Sequence, residues 1–436
     1  MADLSPPSSL FLPRPDRRQA LALTTGILGL SGAACAGARI AGEADELAEL
    51  FSDLQDQSGR WQPISAAEKA PRLARLSACL RAADTDALLI EPGATLSYLC
   101  DVGWGRSERL FALIVLADGS CFWIAPAFEV PRAERRIAAA GPAGTIVAWD
   151  EHEYAWAPLA AALRERSVER IAIEPEARAF VAQRLAEDFG SQRVLPGTAL
   201  VRALRGRKEA RELELLRGAS ELTQRAIAAV AERLRPGIED HELGRWITAA
   251  EERLGLRKTW VLPLLGQGAA FPHGEPEGRK LELGTGILVD TGGSLHGYQS
   301  DTTRSWLFGL APSSEFERAW RTVREAQQRA FERMAPGVPA RAIDRAAREV
   351  IEQAGYGAGY SVFSHRLGHG IGLQGHEEPY LDGGNELELA PGMTFSDEPG
   401  IYLAGRLGIR LEDIVVVTES GADHFGSWQA APASPG

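Results

Sequence analysis

Gly286-Ile287-Leu288-Val289-Asp290-Thr291-Gly292-Gly293 is followed closely by Gly297-Tyr298-Gln299-Ser300-Asp301-Thr302-Thr303-Arg304. Apolar runs that flank a glycine-rich turn predict a β-hairpin. Asp290 interrupts a run that reads as a buried strand, where a carboxylate without a partner is very costly. Asp301 stands eleven residues later on the returning strand. The hairpin can therefore bring both carboxylates to one end of one sheet. The alternative is a turn-stabilising Asp together with an Asp–Arg304 ion pair.

C-terminal to this hairpin lies His365-Arg366-Leu367-Gly368-His369-Gly370-Ile371-Gly372-Leu373-Gln374-Gly375-His376-Glu377, which holds three of the chain's eight histidines. The i, i+4 spacing of His365 and His369 would suit a zinc pair on a helix. Four glycines argue against a helix and predict an extended or looping backbone packed close to something. A lone histidine would read as a satisfied surface or core residue; three together read as functional. Further on, a turn at Pro391-Gly392 leads into a strand that ends near Glu398-Pro399. Gly408 to Val417 reads as one buried strand with Arg410, Glu412 and Asp413 at its start. Strand alternation puts Arg410 and Glu412 on one face and Asp413 on the other. Each charge alone could be an exposed strand end. Together, several carboxylates and a histidine in strand contexts match hard divalent metals, because crowded like charges repel unless cations neutralise them.

Outward from this cluster the chain reads as mostly helical. Helices are predicted over about Glu212–Arg233, Asp240–Leu254, Glu315–Met334 and Ala342–Gln353, the first and third ending at Pro236-Gly237 and Pro336-Gly337. No internal repeat of short period is evident. Arg202 to Lys208 is basic, marks a boundary, and reads as a solvated charged face. Before it, a helix from Ala66, a buried strand Ala87–Ile90, a hairpin around Ala117-Asp118-Gly119 and strands at 146–148 and 171–173 alternate with helical stretches. That alternation predicts an α/β domain. No glycine-rich phosphate loop appears in it. Residues 39–65 are polar and helical in pattern, a lead-in to the domain.

The first forty residues differ. Arg17-Arg18 precede an apolar run, Ala20–Leu30, and a small-residue zone that includes Ala36-Gly37-Ala38. This is the layout of a secretory signal, and the arginine pair resembles the twin-arginine type that exports folded proteins. Cleavage near Ala38 is expected. Lipidation at Cys35 is the alternative, as Gly32-Ala33-Ala34-Cys35 approximates a lipoprotein box. The product would be periplasmic or membrane-tethered in a bacterium.

Composition narrows the class. The 436 residues carry 47 Lys and Arg against 59 Asp and Glu, a net charge of −12. A surface this acidic argues against a general nucleic-acid binder. The four cysteines, Cys35, Cys79, Cys100 and Cys121, show no CxxC spacing. That argues against a zinc-thiolate site or a disulfide framework, and Cys79, Cys100 and Cys121 read as free buried thiols.

The order Asp, Asp, His, Glu, Glu, with the histidine spacing above and Glu398-Pro399-Gly400-Ile401-Tyr402, resembles the pita-bread metallopeptidases, the family of proline aminopeptidase, prolidase and methionine aminopeptidase. The resemblance covers roughly residues 209 to 420. The preceding half looks like the creatinase-type domain of the proline-directed members. The implied architecture is a signal peptide over 1–38, an α/β creatinase-like N-terminal domain over 39–205, an α+β pita-bread catalytic domain over 206–430, and a tail over 431–436. The resemblance further implies that Asp290 ligates one metal and that His369 and Glu398 ligate the other. Asp301 and Glu412 would bridge both. Also by resemblance, His273 lies near the substrate carbonyl, His365 and His376 are further site histidines, Arg410 flanks the bridging glutamate, and Glu398 doubles as a proton relay. Gly266-Gln267-Gly268-Ala269 departs from relatives that often carry Asn there, which bears on substrate contacts near His273.

Two divalent ions would make a shared water nucleophilic near neutral pH. Manganese is expected, with cobalt or zinc as alternatives. The implied activity is an Xaa-Pro aminopeptidase acting on proline-containing peptides, with an Xaa-Pro dipeptidase (prolidase) as the runner-up and a homodimer or higher homo-oligomer as the assembly. A metal-free creatinase-like hydrolase is disfavoured by the retained carboxylates. A non-catalytic binding module would have no reason to keep five ligands and three histidines together.

Overall fold

A computed structural model describes residues 45–274 and 278–436; the signal-peptide reading of 1–38, and Cys35 with it, lies outside the described residues. The chain divides into Met1–Leu50 and Phe51–Gly436. In the first unit residues 45–50 are helical. The helical lead-in expected over 39–65 shows, from Phe51 to Ile64, only the 3-10 turn Ser58–Arg60. Gly59 and Pro63 break the pattern there.

The first layer of the second unit is a six-stranded sheet. Its strands are β1 (Ala87–Ile90), β2 (Ala112–Leu116), β3 (Cys121–Pro126), β4 (Thr145–Trp149), β5 (Ile171–Ile173) and β6 (Val194–Pro196), in the order β4-β3-β2-β1-β5-β6. The expected hairpin joins β2 and β3 with Val115 opposite Cys121. The parallel pairs β3–β4 and β5–β6 are joined by helices Val130–Ala140 and Ala179–Phe189. β1 is apolar throughout because it is covered on both sides. Leu88 and Ile90 pack with Leu76 and Leu80, whereas Ala87 and Leu89 pack with Leu159 and Leu163.

Helix Thr198–Arg205 leads out of this layer into a structure that repeats itself. Helix Ala210–Ala231, a Pro236-Gly237 turn and helix Asp240–Leu254 precede β7 (Arg257–Leu265), β8 (Gly286–Leu295), β9 (Tyr298–Gln299) and β10 (Thr302–Leu307). Helix Ser314–Arg333, a Pro336-Gly337 turn and helix Ala340–Gln353 precede β11 (Gly368–Gly370), β12 (Glu377–Leu381), β13 (Thr394–Asp397), β14 (Gly400–Leu403), β15 (Leu407–Arg410), β16 (Asp413–Val417) and β17 (Ala422–His424). Both turns place their glycine at positive φ, +92° and +80°. The Gly237 N–H donates to Leu281 O at 2.8 Å and the Leu281 N–H to Ile238 O at 2.7 Å. The Gly337 N–H donates to Leu389 O and the Leu389 N–H to Val338 O, both at 2.9 Å. The repeat is one of architecture and not of short sequence period, so the sequence pattern hides it.

Two sequence expectations are corrected. Gly408–Val417 is not one strand. β15 pairs with β14, β16 pairs with β13 and β17, and Leu411-Glu412 forms the break between them. The break frees the Glu412 N–H to donate to Thr303 O at 3.1 Å, docking the second half of the repeat on the first. The basic segment is not a solvated face. Arg205 and Lys208 are buried, and both grip Glu377, at 2.6 and 2.7 Å. A buried carboxylate demands such partners. Burial would raise Glu377, but Lys208 and Arg205 hold it below the ordinary carboxylate range.

Candidate metal centre

The hairpin β8–β10 sets Asp290 opposite Thr303, and Asp301 immediately precedes β10. These two come from the first half of the repeat. His369 on β11, Glu398 just after β13, and Glu412 in the break between β15 and β16 come from the second. Glycines permit the approach. A Cβ at Gly368 would lie 1.9 Å from Ser396 O, and one at Gly370 would lie 2.5 Å from Glu377 O. The close packing that the glycine-rich segment predicted is thus strand against strand.

All nine residues selected from the sequence line one cleft of about 530 Å³: His273, Asp290, Asp301, His365, His369, His376, Glu398, Arg410 and Glu412. Trp260, Leu262, Pro272 and Arg366 complete its wall. Arg304 does not pair with Asp290 or Asp301. It binds Asp413 at 2.7 Å, on the other side of the strand, while Arg410 binds Asp290 at 2.6 Å.

The acidic groups fit divalent ions. Asp290, Asp301 and Glu412 can bring ligand atoms within 4.8 Å of one another, as can His369, Glu398 and Glu412, and Asp301, His369 and His376. Asp301, His369 and Glu412 each belong to two of these groups. Glu412 Oε1 is buried and has no hydrogen-bond partner. Burial, then the charges of Asp301, Glu398 and Asp290, push Glu412 far above the ordinary carboxylate range. Burial, then Asp290 and Glu398, do the same to Asp301. Glu398 is pushed up to about 7, chiefly by burial, with Arg410 opposing and Asp290 assisting. Carboxylates so crowded ionise together only when cations neutralise them. The histidine is prepared in the same way. His369 Nδ1–H donates to Gly370 O at 3.1 Å, which leaves Nε2 facing Asp301 and Glu398 at 3.5 and 3.4 Å. A backbone bond of this kind sets the tautomer that a metal needs. Burial, then His376, lowers His369 to about 3, so the ring is neutral and able to ligate.

Residues 214–419 match metallopeptidase family M24, and residues 72–206 match the creatinase/prolidase N-terminal domain. The "Probable dipeptidase PepE" of Mycobacterium tuberculosis is 38% identical over 359 residues, 81% of this chain and 93% of that protein. This chain belongs to metallopeptidase family M24. The crystal structure of dipeptidase PepE from Mycobacterium ulcerans superposes with a TM-score of 0.79 at 34% identity, covering 86% of this chain and all of that one. A prolidase from Thermococcus sibiricus gives a TM-score of 0.72 at 30% identity, covering 82% and 96%. The expected architecture, a creatinase-type domain followed by a pita-bread metallopeptidase domain, is therefore the observed one, and the chain is a peptidase of this M24 family.

Other residues in or beside the cleft were not picked out in the sequence. Tyr402 OH sits between His365 Nε2 at 2.8 Å and Arg410 Nη1 at 3.0 Å. Its signal was the Glu398–Tyr402 phrase itself. Thr303 Oγ1 lies 2.9 Å from Asp290 Oδ1 and 2.6 Å from Glu412 Oε2, tying the two carboxylates together. Thr303 follows Asp301 by two residues, so strand alternation alone could have found it. Arg366 and Trp260 carried no sequence signal.

Proposed function

We propose that the chain is a two-metal peptidase that hydrolyses the Xaa-Pro bond at the N-terminus of peptides. The observation that carries this reading is a set of overlapping ligand groups, joined through Asp301, His369 and Glu412, in one histidine-lined cleft. In this reading Asp290, Asp301, His369, Glu398 and Glu412 would hold the two ions. Bound there, the ions supply the Lewis acidity that makes water nucleophilic near neutral pH. Manganese is the preferred ion, since oxygen donors outnumber the single ligating imidazole.

The chain's own residues do the rest. Glu398 takes a proton from the attacking water and returns it to the leaving nitrogen. His273 and His376 donate to the substrate around the scissile carbonyl. Arg410 fixes Asp290 and, with His365, orients the Tyr402 hydroxyl. Trp260, Leu262 and Pro272 offer an apolar wall suited to a pyrrolidine ring. An Xaa-Pro bond lacks an N–H, and none of the roles assigned here requires one. A dipeptide-only specificity is the second reading, supported by the names of the relatives, dipeptidase and prolidase.

Purified protein should lose Xaa-Pro hydrolysis in chelator and regain it with Mn²⁺ or Co²⁺. Full activity of metal-free protein overturns the mechanism. Gly-Pro assayed beside a longer Xaa-Pro peptide separates the two specificities.

A further inference from the structure

Behind the hairpin that carries Asp290 and Asp301 lies a second polar cluster, on the face turned away from the metal centre. Strand alternation sends Thr291 and Thr302 to the side opposite Asp290 and Asp301, and the two threonines are directly paired across β8 and β10. Helices Ala210–Ala231 and Asp240–Leu254 pack on that side. Ser220 and Thr223 stand three residues apart on one face of the first helix, Glu251 lies on the second, and Ser300 completes the cluster. All of these side chains are completely buried. Glu251 differs from the other buried carboxylates outside the metal centre, which face cations: Glu377 meets Arg205 and Lys208, Asp413 meets Arg304, and Asp344 meets Arg348. Among the described residues no lysine or arginine acts on Glu251, and the one charge that does is Glu252, of the same sign.

The neighbours of this carboxylate are oxygen atoms. Glu251 Oε1 lies 3.1 Å from Thr291 Oγ1, whose single proton goes to Trp260 O at 2.6 Å. Thr223, 2.7 Å from Ser300 Oγ, also meets the carboxylate. Glu251 Oε2 has no hydrogen-bond partner, and neither have Ser220 Oγ and Thr302 Oγ1. Unpaired oxygens buried in one interface are costly unless something electropositive meets them. A proton on Glu251 would neutralise the carboxylate but supply a single donor. A metal cation supplies the charge and meets several oxygens at once. A donor set of oxygen alone selects a hard cation, and one carboxylate balances one positive charge. We propose that Glu251, Thr291, Thr302, Thr223 and Ser220 form a site for a monovalent alkali cation, which braces the metal-bearing hairpin from behind. The closed packing favours sodium over the larger potassium. The site is independent of the substrate and of the peptidase reading.

The test is thermal unfolding of the full, metal-loaded chain in choline chloride, exchanged stepwise for sodium or potassium chloride at constant ionic strength. The Tm should rise by about 2 °C for each tenfold rise in sodium beyond its dissociation constant, and by less in potassium. Glu251→Gln replaces the carboxylate by a neutral amide that brings its own donors, and should unfold at one Tm in all three salts. Thr302→Val removes one oxygen and keeps the charge, so it should still respond but need more sodium. A wild-type Tm indifferent to the alkali ion overturns the site and leaves a protonated Glu251. An equal rise in Glu251→Gln overturns it too, as a general salt effect. If Glu251→Gln does not fold, Thr302→Val decides: a weakened sodium response supports the site, and an unchanged one overturns it.

Discussion

Arg205 Nη2 donates to Glu377 Oε2 at 2.6 Å, joining the helix that leaves the N-terminal sheet to the strand that follows His376. Arg205 also reaches Thr95 Oγ1 at 3.1 Å and Gln374 Oε1 at 2.9 Å, and Lys208 takes the other Glu377 oxygen at 2.7 Å. Gln374 in turn bonds Glu176 of the N-terminal layer. The segment bearing His376 is therefore held by the first layer, although the candidate ligands all come from the second.

Removing Glu377 leaves two buried cations without their anion. Glu377→Ala should destabilise the protein by about 3–5 kcal/mol, the scale for breaking a buried ion pair from one side. Denaturant unfolding measures this. kcat/KM should fall as well, since His376 loses its anchor. Unchanged stability would show that the clamp is not what holds the two layers in place.

His369→Ala and His376→Ala should separate. The rings stack with centroids 3.7 Å apart, and His376 shares a possible ligand group with Asp301 and His369. His369→Ala should lose metal and activity together. His376→Ala should retain both ions and lower kcat/KM by roughly 10²-fold, the scale for a positioned donor or acid–base group. Metal content measured beside kinetics decides, and parallel metal loss in both variants would make His376 a ligand.

Glu174 gives a pH signature remote from the metal ligands. It is buried at the end of β5, its Oε2 has no hydrogen-bond partner, and burial raises its pKa to about 7. A folded pKa above the unfolded value means that the folded state holds the proton more tightly. The stability contribution is then full below the unfolded pKa and is lost as pH rises toward 7. Glu174→Gln removes this dependence. Relative to wild type, the variant should gain about 3 kcal/mol between pH 4 and pH 8, from a shift of that size. Urea unfolding of both proteins at the two pH values tests it; a pH-independent difference would contradict it.

Export is proposed from the first forty residues. Protein from the native host should begin near Arg39 or at lipidated Cys35. Mass spectrometry of its terminus decides, and an intact Met1 or Ala2 would refute the proposal. Among the described residues no helix is long and apolar enough to cross a membrane.

What the sequence determined by itself was local or carried by motif. Helix Asp240–Leu254 was legible to its ends, and in the structure Gly255 closes it in the left-handed conformation, at φ +108°. Strand β1 was legible from its unbroken apolar run, and the side chains that meet in the cleft were legible from the glycine-flanked motifs. Tertiary structure alone decided which charges meet. Arg304 turned to Asp413 and Arg410 to Asp290, because residues on opposite faces of adjoining strands meet different neighbours. Arg205 and Lys208 became buried, because a carboxylate far along the chain had to be neutralised where two layers close. Tertiary structure also set Arg366 over the Tyr380 ring and Tyr402 between His365 and Arg410. Helix limits and strand apolarity depend on nearest neighbours along the chain. Pairing across more than a hundred residues depends on sheet register and on the approach of two halves of a repeat, which no local pattern encodes.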